Sequence, residues 1–310
     1  MLDRLKQDWP TIMVYVILIV LVGVSGSVSQ FFLTPRNINN LACQAVALGI
    51  VSIGQTLVLI TGGIDLSVGS VISLITCLTT GLISGSEPLV LPVLALVIAV
   101  ALLIGFCNGW IIVKTQVSPL IVTLAMMSVI QGVVFVYTKG PIGELPASLS
   151  ALAWSKVGIL PLPLFFLAVV AIAGILLQKR TTLGRYLYAI GGNEEIARRS
   201  GINVDKIKIV TYMICSLTAA LSGIFLSCRM GQGDPLAGER YMIDSIIPAL
   251  IGGTSLMGGK GGIVGTLAGI FILTIINNIL NLLNVETYWQ WVVTGLIVIV
   301  AVACCGRFKM

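Results

Sequence analysis

Histidine is absent from this chain of 310 residues, and charged side chains make up only 10% of it. The first absence removes the commonest general base and metal ligand. The second removes the polar shell of a soluble domain, which carries about 25% charged residues. Aromatics are also few, at 7%. The seven cysteines form no Cys-x-x-Cys or Cys/His spacing, so neither a zinc nor a haem site is expected, and their odd number argues against a disulfide framework. Cys43, Cys77, Cys107, Cys215 and Cys228 lie in or beside apolar segments, and Cys304 and Cys305 close the last one. They read as small buried hydrophobes. The net charge of +6 does not indicate nucleic-acid binding, because the basic residues lie in loops between apolar runs.

What is present is hydrophobicity: 57% of residues, with a mean hydropathy of +1.07. Lipid must replace water around much of such a chain. Apolar stretches of spanning length recur at Ile12–Val28, Asn40–Thr61, Gly69–Ser84, Leu89–Val113, Pro119–Thr138, Leu162–Gln178, Ile207–Cys228, Met242–Leu256, Ile263–Leu283 and Tyr288–Cys305. The fold class predicted is all-α, a polytopic transmembrane helix bundle of about ten spans. The first run resembles a signal peptide, yet is long enough to remain as an uncleaved first span. Residues 1–310 read as one transmembrane domain with no soluble domain attached.

Charge placement sets the orientation. With both termini in the cytoplasm, 13 basic residues fall inside and 5 outside. The inner set includes Arg4, Lys6, Lys114, Lys179, Arg180, Arg307 and Lys309; the outer set is Arg36, Lys139, Lys156, Arg229 and Arg240. This matches the excess of Lys and Arg in cytoplasmic loops, and one span more or fewer would separate the basic stretch 179–208 from the basic C-terminus. Trp154, Tyr288, Trp289 and Trp291 fall near the outer interface, where amphipathic rings settle.

The inner loop 179–208 holds a short helix with both ends marked. Asn193 suits an N-cap. Glu194 and Glu195 sit in the first turn and Arg198 and Arg199 in the last, each complementing the helix dipole. Gly201 suits the left-handed position after the helix. A helix of about two turns is not stable alone, so it must pack on its own bundle or on a partner. A solvated basic connector that only sets topology is the other reading of this loop.

Glu195, Ala197 and Gly201 reproduce the spacing of the E-A-A-x-x-x-G signature of binding-protein-dependent ABC permeases, with Ile196 in place of the middle alanine. The strings TGGIDLSVGS from Thr61, SPLIVTLAMM from Ser118, GRYLYAIGGNEEIARRSGI from Gly184 and IGGTSLMGGKGG from Ile251 resemble the permeases of ribose- and galactoside-type sugar importers. The resemblance runs from about residue 37 to 283, nearly the whole chain. It implies a permease of the bacterial inner membrane that carries a monosaccharide or similar small polar solute. It implies as partners a cytoplasmic ABC ATPase docked on Asn193–Gly201, an external sugar-binding protein, and a second permease copy or paralogue. ATP and Mg would bind the ATPase, leaving this chain without cofactor and without catalytic residues. An ion-coupled secondary transporter of a small polar solute is the alternative. It usually needs ionisable groups within the membrane, and only Asp65 and Asp244 come near a span interior. A membrane enzyme would need clustered His, Cys or carboxylate groups on one face.

Gly63, Asp65 and Ser67 lie in a Gly-rich joint between two spans. A charge at mid-bilayer costs about 2.5–3.5 kcal/mol, so Asp65 belongs at an interface, in a polar cavity or in a broken helix. Asp65 is expected to cap a helix starting at Leu66; a tight turn with capping residues and a joint lining the translocation pathway are both consistent with the sequence. The weakly similar joint Gly252–Gly262 hints at an internal repeat. Gly105 and Gly109, and Gly261, Gly265 and Gly269, read as helix-packing glycines of the fourth and ninth spans. Asn108, Asn277 and Asn278 can bond across helices, the role preferred for each singly, or meet sugar hydroxyls; Asn108 and Asn277 join Gly63, Asp65 and Ser67 as the expected translocation-pathway residues. Gly258-Gly259-Lys260 resembles a P-loop fragment but lacks the first glycine and the Ser or Thr after the lysine, so nucleotide binding is not expected.

Overall fold

Thr34 and Pro35 show how these helices begin. The Thr34 hydroxyl accepts from the Asn37 N–H, and Pro35 occupies the first helical position, where its missing N–H costs nothing. Endings use the left-handed conformation, as at Ser84, Gln116 and Gly231. In this computed structural model residues 2–158 and 160–307 are described, with side chains over 12–299 apart from 159 and 298. The side chains of Arg4, Lys6, Cys304, Cys305, Arg307 and Lys309 lie outside the described residues.

The helices in chain order are α1 (Leu2–Val28), α2 (Pro35–Ile60), α3 (Val68–Ile83), α4 (Val90–Thr115), α5 (Pro119–Tyr137), α6 (Ala147–Leu152), α7 (Leu162–Arg180), α8 (Thr182–Gly192), α9 (Glu194–Arg199), α10 (Val204–Met230), α11 (Tyr241–Asp244), α12 (Ile247–Ile251), α13 (Ile263–Leu282) and α14 (Thr287–Arg307). A two-stranded antiparallel hairpin, Lys156–Val157 with Leu160–Pro161, sits in the loop between α6 and α7. Among the described residues, α2, α4, α5, α7, α10 and α13 are long and apolar enough to cross a membrane. Ile12–Val28, Val68–Ile83 and Tyr241–Ile251 are shorter apolar helical stretches. This is an all-α polytopic membrane bundle.

α10 is the central helix, packed along α2, α3 and α4. α2 is buried almost throughout, although its sequence reads as a lipid-facing span. α4, α5 and α7 instead present Leu91, Leu103, Val129, Val136, Val169 and Ile172 outward, as lipid-facing helices do. Close approach of α4 to α10 depends on the small residues. A Cβ at Gly105 would lie 2.6 Å from the Tyr212 carbonyl, and one at Gly109 2.6 Å from Ile209 Cα.

Two sequence expectations fail here. Met242–Leu256 is not one continuous helix: it forms α11 and α12, which end at Ile251. Pro248 donates no N–H, and Gly253 at φ +85° turns the chain back. Residues 241–251 rise only about 16 Å as helix, about half of a 30 Å hydrocarbon core. The preceding stretch, read as an outer loop, runs down beside α3: Gly233 lies against Thr80 and Cys77, the Asp234 carbonyl accepts from Thr76, and the Gly238 N–H donates to Ser73 at 3.0 Å. The stretch expected as the eighth span is therefore a broken helix, tolerated because protein surrounds it. Second, α13 begins at Ile263, so Gly261 lies in the joint before it at φ +112°, while Gly265 and Gly269 pack on Gly252 and Pro248 of the neighbouring segment.

The bundle has two distinguishable ends. At one, where α2 begins, Cys43 meets the Ala153 carbonyl, beside the exposed Trp154, and Asn37 meets Asn278 of α13; exposed Tyr288, Trp289 and Trp291 at the start of α14 lie nearby. At the other, where α2 stops, Ile60 meets Gly191 of α8 and Gly259.

Candidate functional site

Two places gather the singled-out residues: the α8–α9 pair and the joint between α2 and α3.

Asn193 closes α8 and opens α9. Its N–H bonds the Ala189 carbonyl, while its Oδ1 accepts from the Ile196 N–H at 2.9 Å. Glu194 pairs with Arg198 and Lys208, Glu195 with Arg199, and Arg198 with Asp205 at 2.6 Å. The Asp205 hydrogen bond is the main cause holding Arg198 above its ordinary pKa. α9 ends in a Schellman motif: Gly201 N–H reaches the Arg198 carbonyl, Ile202 N–H the Ala197 carbonyl, and Gly201 adopts φ +83°. Ala197 is buried with Ile190 and Val204, which seats α9 on α8 and α10. Its other face is open, with Glu195 and Arg199 in solvent and Ile196 62% exposed. A bare isoleucine between charged neighbours, on a helix fixed from behind, is suited to meeting another protein.

The joint follows a second Schellman motif. α2 ends with Gly62 at φ +80°, its N–H on the Leu59 carbonyl and the Gly63 N–H on the Val58 carbonyl. The C-capping expectation at these glycines holds. The N-capping expectation at Asp65 does not. α3 starts at Val68, and Asp65 Oδ1 accepts from the Ser67 N–H at 2.9 Å and the Ser67 hydroxyl at 2.6 Å, a local Asx turn rather than a helix cap. Side chains from two other helices satisfy the main chain of Ile64–Leu66. With its amide turned to suit both groups, Gln55 exchanges two 3.2 Å hydrogen bonds with the N–H and C=O of Asp65. The Thr123 hydroxyl of α5 lies 3.2 Å from both the Leu66 N–H and the Ile64 carbonyl. Irregular chain inside a bilayer needs such partners.

Asp65 is fully buried. Around it stand Ser67, Asn108, whose Nδ2 donates to Ser67 Oγ at 2.9 Å, and the Tyr212 hydroxyl against Gly63; Cys215 lies 3.5 Å from the Gln55 amide. Among the described residues Asp65 makes no ion pair, and Asp65 Oδ2, Asn108 Oδ1, Tyr212 OH and Ser216 Oγ are buried without a hydrogen-bond partner. Each such atom costs about 1–3 kcal/mol while it is kept from water.

The structure thus brings Gly63, Asp65, Ser67 and Asn108 together. It does not bring Asn277 there. That residue lies 14 positions into α13, about 21 Å along the helix, toward the Asn37 end. Sequence reasoning missed Gln55, Thr123, Tyr212, Cys215 and Ser216. The signal available was a polar side chain inside an apolar run, clearest at Gln55. The glycines of Gly258-Gly259-Lys260, at φ +81° and +72°, pack on Gly62 and Gly191.

The family described as branched-chain amino acid transport system / permease component matches residues 37–302. The chain is 40% identical over 290 residues to the ribose import permease of Escherichia coli (strain K12), covering 92% of this chain and 90% of that one. It is 41% identical over 292 residues to the ribose import permease of Bacillus subtilis (strain 168), covering 92% and 89%. It is 35% identical over 299 residues to the D-allose transport system permease of Escherichia coli (strain K12), covering 95% and 91%. No solved structure matches it.

Proposed function

We infer the function from one premise: this chain belongs to the branched-chain amino acid transport system / permease component family. It acts as the membrane permease subunit of an ABC importer in the bacterial cell membrane and carries a monosaccharide. The observation that carries the sugar reading is the 40% identity to a ribose import permease over 92% of the chain. Relatives for allose and xylose leave the choice among small sugars open. The ion-coupled alternative gains no support from the family or from these relatives.

A cytoplasmic ATPase binds ATP and Mg and grips the α9 surface made by Glu194, Glu195, Ile196, Arg198 and Arg199. The doubly capped helix supports this reading, because a capped, backed helix transmits force better than a mobile loop. A second permease copy or paralogue completes the pore, and an external binding protein delivers the sugar at the Asn37 end. The joint Gly63–Ser67 with Asn108 gates the pathway. The unpartnered Asp65 Oδ2, Asn108 Oδ1 and Tyr212 OH there support gating: a bundle that stayed shut would gain by making them apolar, whereas one that opens to water and sugar hydroxyls uses them.

The test is purification in mild detergent with whatever accompanies the chain, then uptake of labelled ribose, allose and xylose into liposomes. ATP-dependent uptake unaffected by an uncoupler is expected. Uptake driven by an ion gradient alone would overturn the reading.

A further inference from the structure

The Ile60 carbonyl, last in α2, accepts the Gly259 N–H at 2.9 Å, and Gly191 of α8 sits directly on that hydrogen bond. A Cβ at Gly191 would stand 1.8 Å from the Ile60 oxygen and 2.4 Å from the Gly259 nitrogen. No side chain fits. Three separate segments therefore meet main chain to main chain: the end of α2, the joint before α13, and the end of α8.

The contact is braced. Gln178 of α7 donates to the Tyr188 hydroxyl at 2.6 Å, and Tyr188 donates to the Gly261 carbonyl at 2.7 Å. Gln178 Oε1 also accepts the Ile263 N–H at 3.1 Å, satisfying a donor at the exposed start of α13. The two joints that meet here are built alike. α12 ends as α2 does, with Gly253 at φ +85°, its N–H on the Leu250 carbonyl and the Thr254 N–H on the Ala249 carbonyl. On the other side of Gly191, Asn193 fuses α8 to α9, leaving one residue between the two helices. In the chain, Ile60 precedes Asp65 by five residues.

We propose that Gly191 is a positioning residue that transmits displacement of α9 to the Asp65 joint and to the α12–α13 joint together. The mechanism is steric. Backbones in direct contact have no rotamers to absorb a push, whereas a layer of side chains would yield. A shift of α8–α9 must carry the Ile60–Gly259 pair with it, and both joints move as one body. This rests on the reading of α9 as the ATPase contact.

The test uses the native complex in liposomes, with labelled ribose, allose and xylose as probes, and measures sugar imported per ATP hydrolysed. G191A must part α8 from α2, so hydrolysis should persist while the ratio falls about tenfold or more, within the range of known coupling energies. G192A, whose methyl meets nothing within 4 Å, should keep the native ratio. A native ratio in G191A overturns the proposal. If G191A does not assemble, Y188F decides: it removes the brace without adding bulk, and an unchanged ratio overturns the proposal. A further measurement is independent of the cargo. Spin labels at Ser200→Cys and Met257→Cys, both exposed, should keep one separation with and without ATP and vanadate; a separation that changes overturns the proposal. Failure of the native complex to import any of these sugars with ATP counts against the importer reading, while the label separation still decides the junction.

Discussion

Asn37 and Asn278 face each other across α2 and α13 and exchange two hydrogen bonds, each 2.9 Å long, between their side-chain amides. They are 241 residues apart, and both are buried. Asn37→Ala strands the Asn278 amide, and Asn278→Ala strands the Asn37 oxygen, while the Asn37 Nδ2 keeps the Phe32 carbonyl at 2.9 Å. Each should cost about 1–2 kcal/mol, and the double variant less than the sum, with a coupling of about 0.5–1.5 kcal/mol. Thermal unfolding in detergent measures this; strictly additive costs would mean that the pair contributes nothing.

Asp65→Asn keeps an oxygen to accept from Ser67 and so preserves the Asx turn, while replacing the unpartnered oxygen with a donor. We expect the chain to assemble in native amounts and uptake to fall about tenfold, equal to about 1.4 kcal/mol on the barrier. Native uptake and native ATPase coupling would return Asp65 to a purely structural role.

Glu195→Lys reverses a charge in the first turn of α9, against the helix dipole and beside Arg199. Gly201→Pro demands φ near −65° where the chain sits at +83°, and it removes the N–H that bonds Arg198. Both should abolish transport without lowering the amount of protein in the membrane. Membrane immunoblots beside uptake assays separate this from simple misfolding.

Gly105→Ala and Gly132→Ala make a contrast within the apolar helices. The first pushes a methyl to 2.6 Å from the Tyr212 carbonyl and should destabilise by about 1–3 kcal/mol, as overpacking does. The second meets nothing within 4 Å, and the helix should gain up to about 1 kcal/mol. Shifts of opposite sign in melting temperature are the expected result.

Much of this could be read before any fold was known. α9 is legible because its signals are local: Asn193, two acids, two bases and Gly201 fall within nine residues. The apolar runs are legible because lipid demands length. The surroundings of Asp65 are not, since Gln55, Thr123 and Tyr212 arrive from three other helices. In water a polar stripe would have revealed which face of each helix turns inward; α4 and α5 are apolar almost all round, so the stripe is missing. The grouping of Asn277 with Asp65 fails for a related reason. Residue type suggests a bond across helices, but neither depth nor neighbour. The broken eighth span had a local mark, Pro248 four residues before Gly252-Gly253, and its apolarity concealed it.

The irregular stretch Ile64–Leu66 owes its hydrogen bonds to side chains of α2 and α5 rather than to any helix or sheet of its own. Its protection from deuterium is therefore borrowed. The Asp65 and Leu66 amides become exchangeable as soon as Gln55 or Thr123 withdraws, while the α2 and α3 amides on either side stay locked. Their isotope uptake would report how often the joint opens, with no probe attached to the chain.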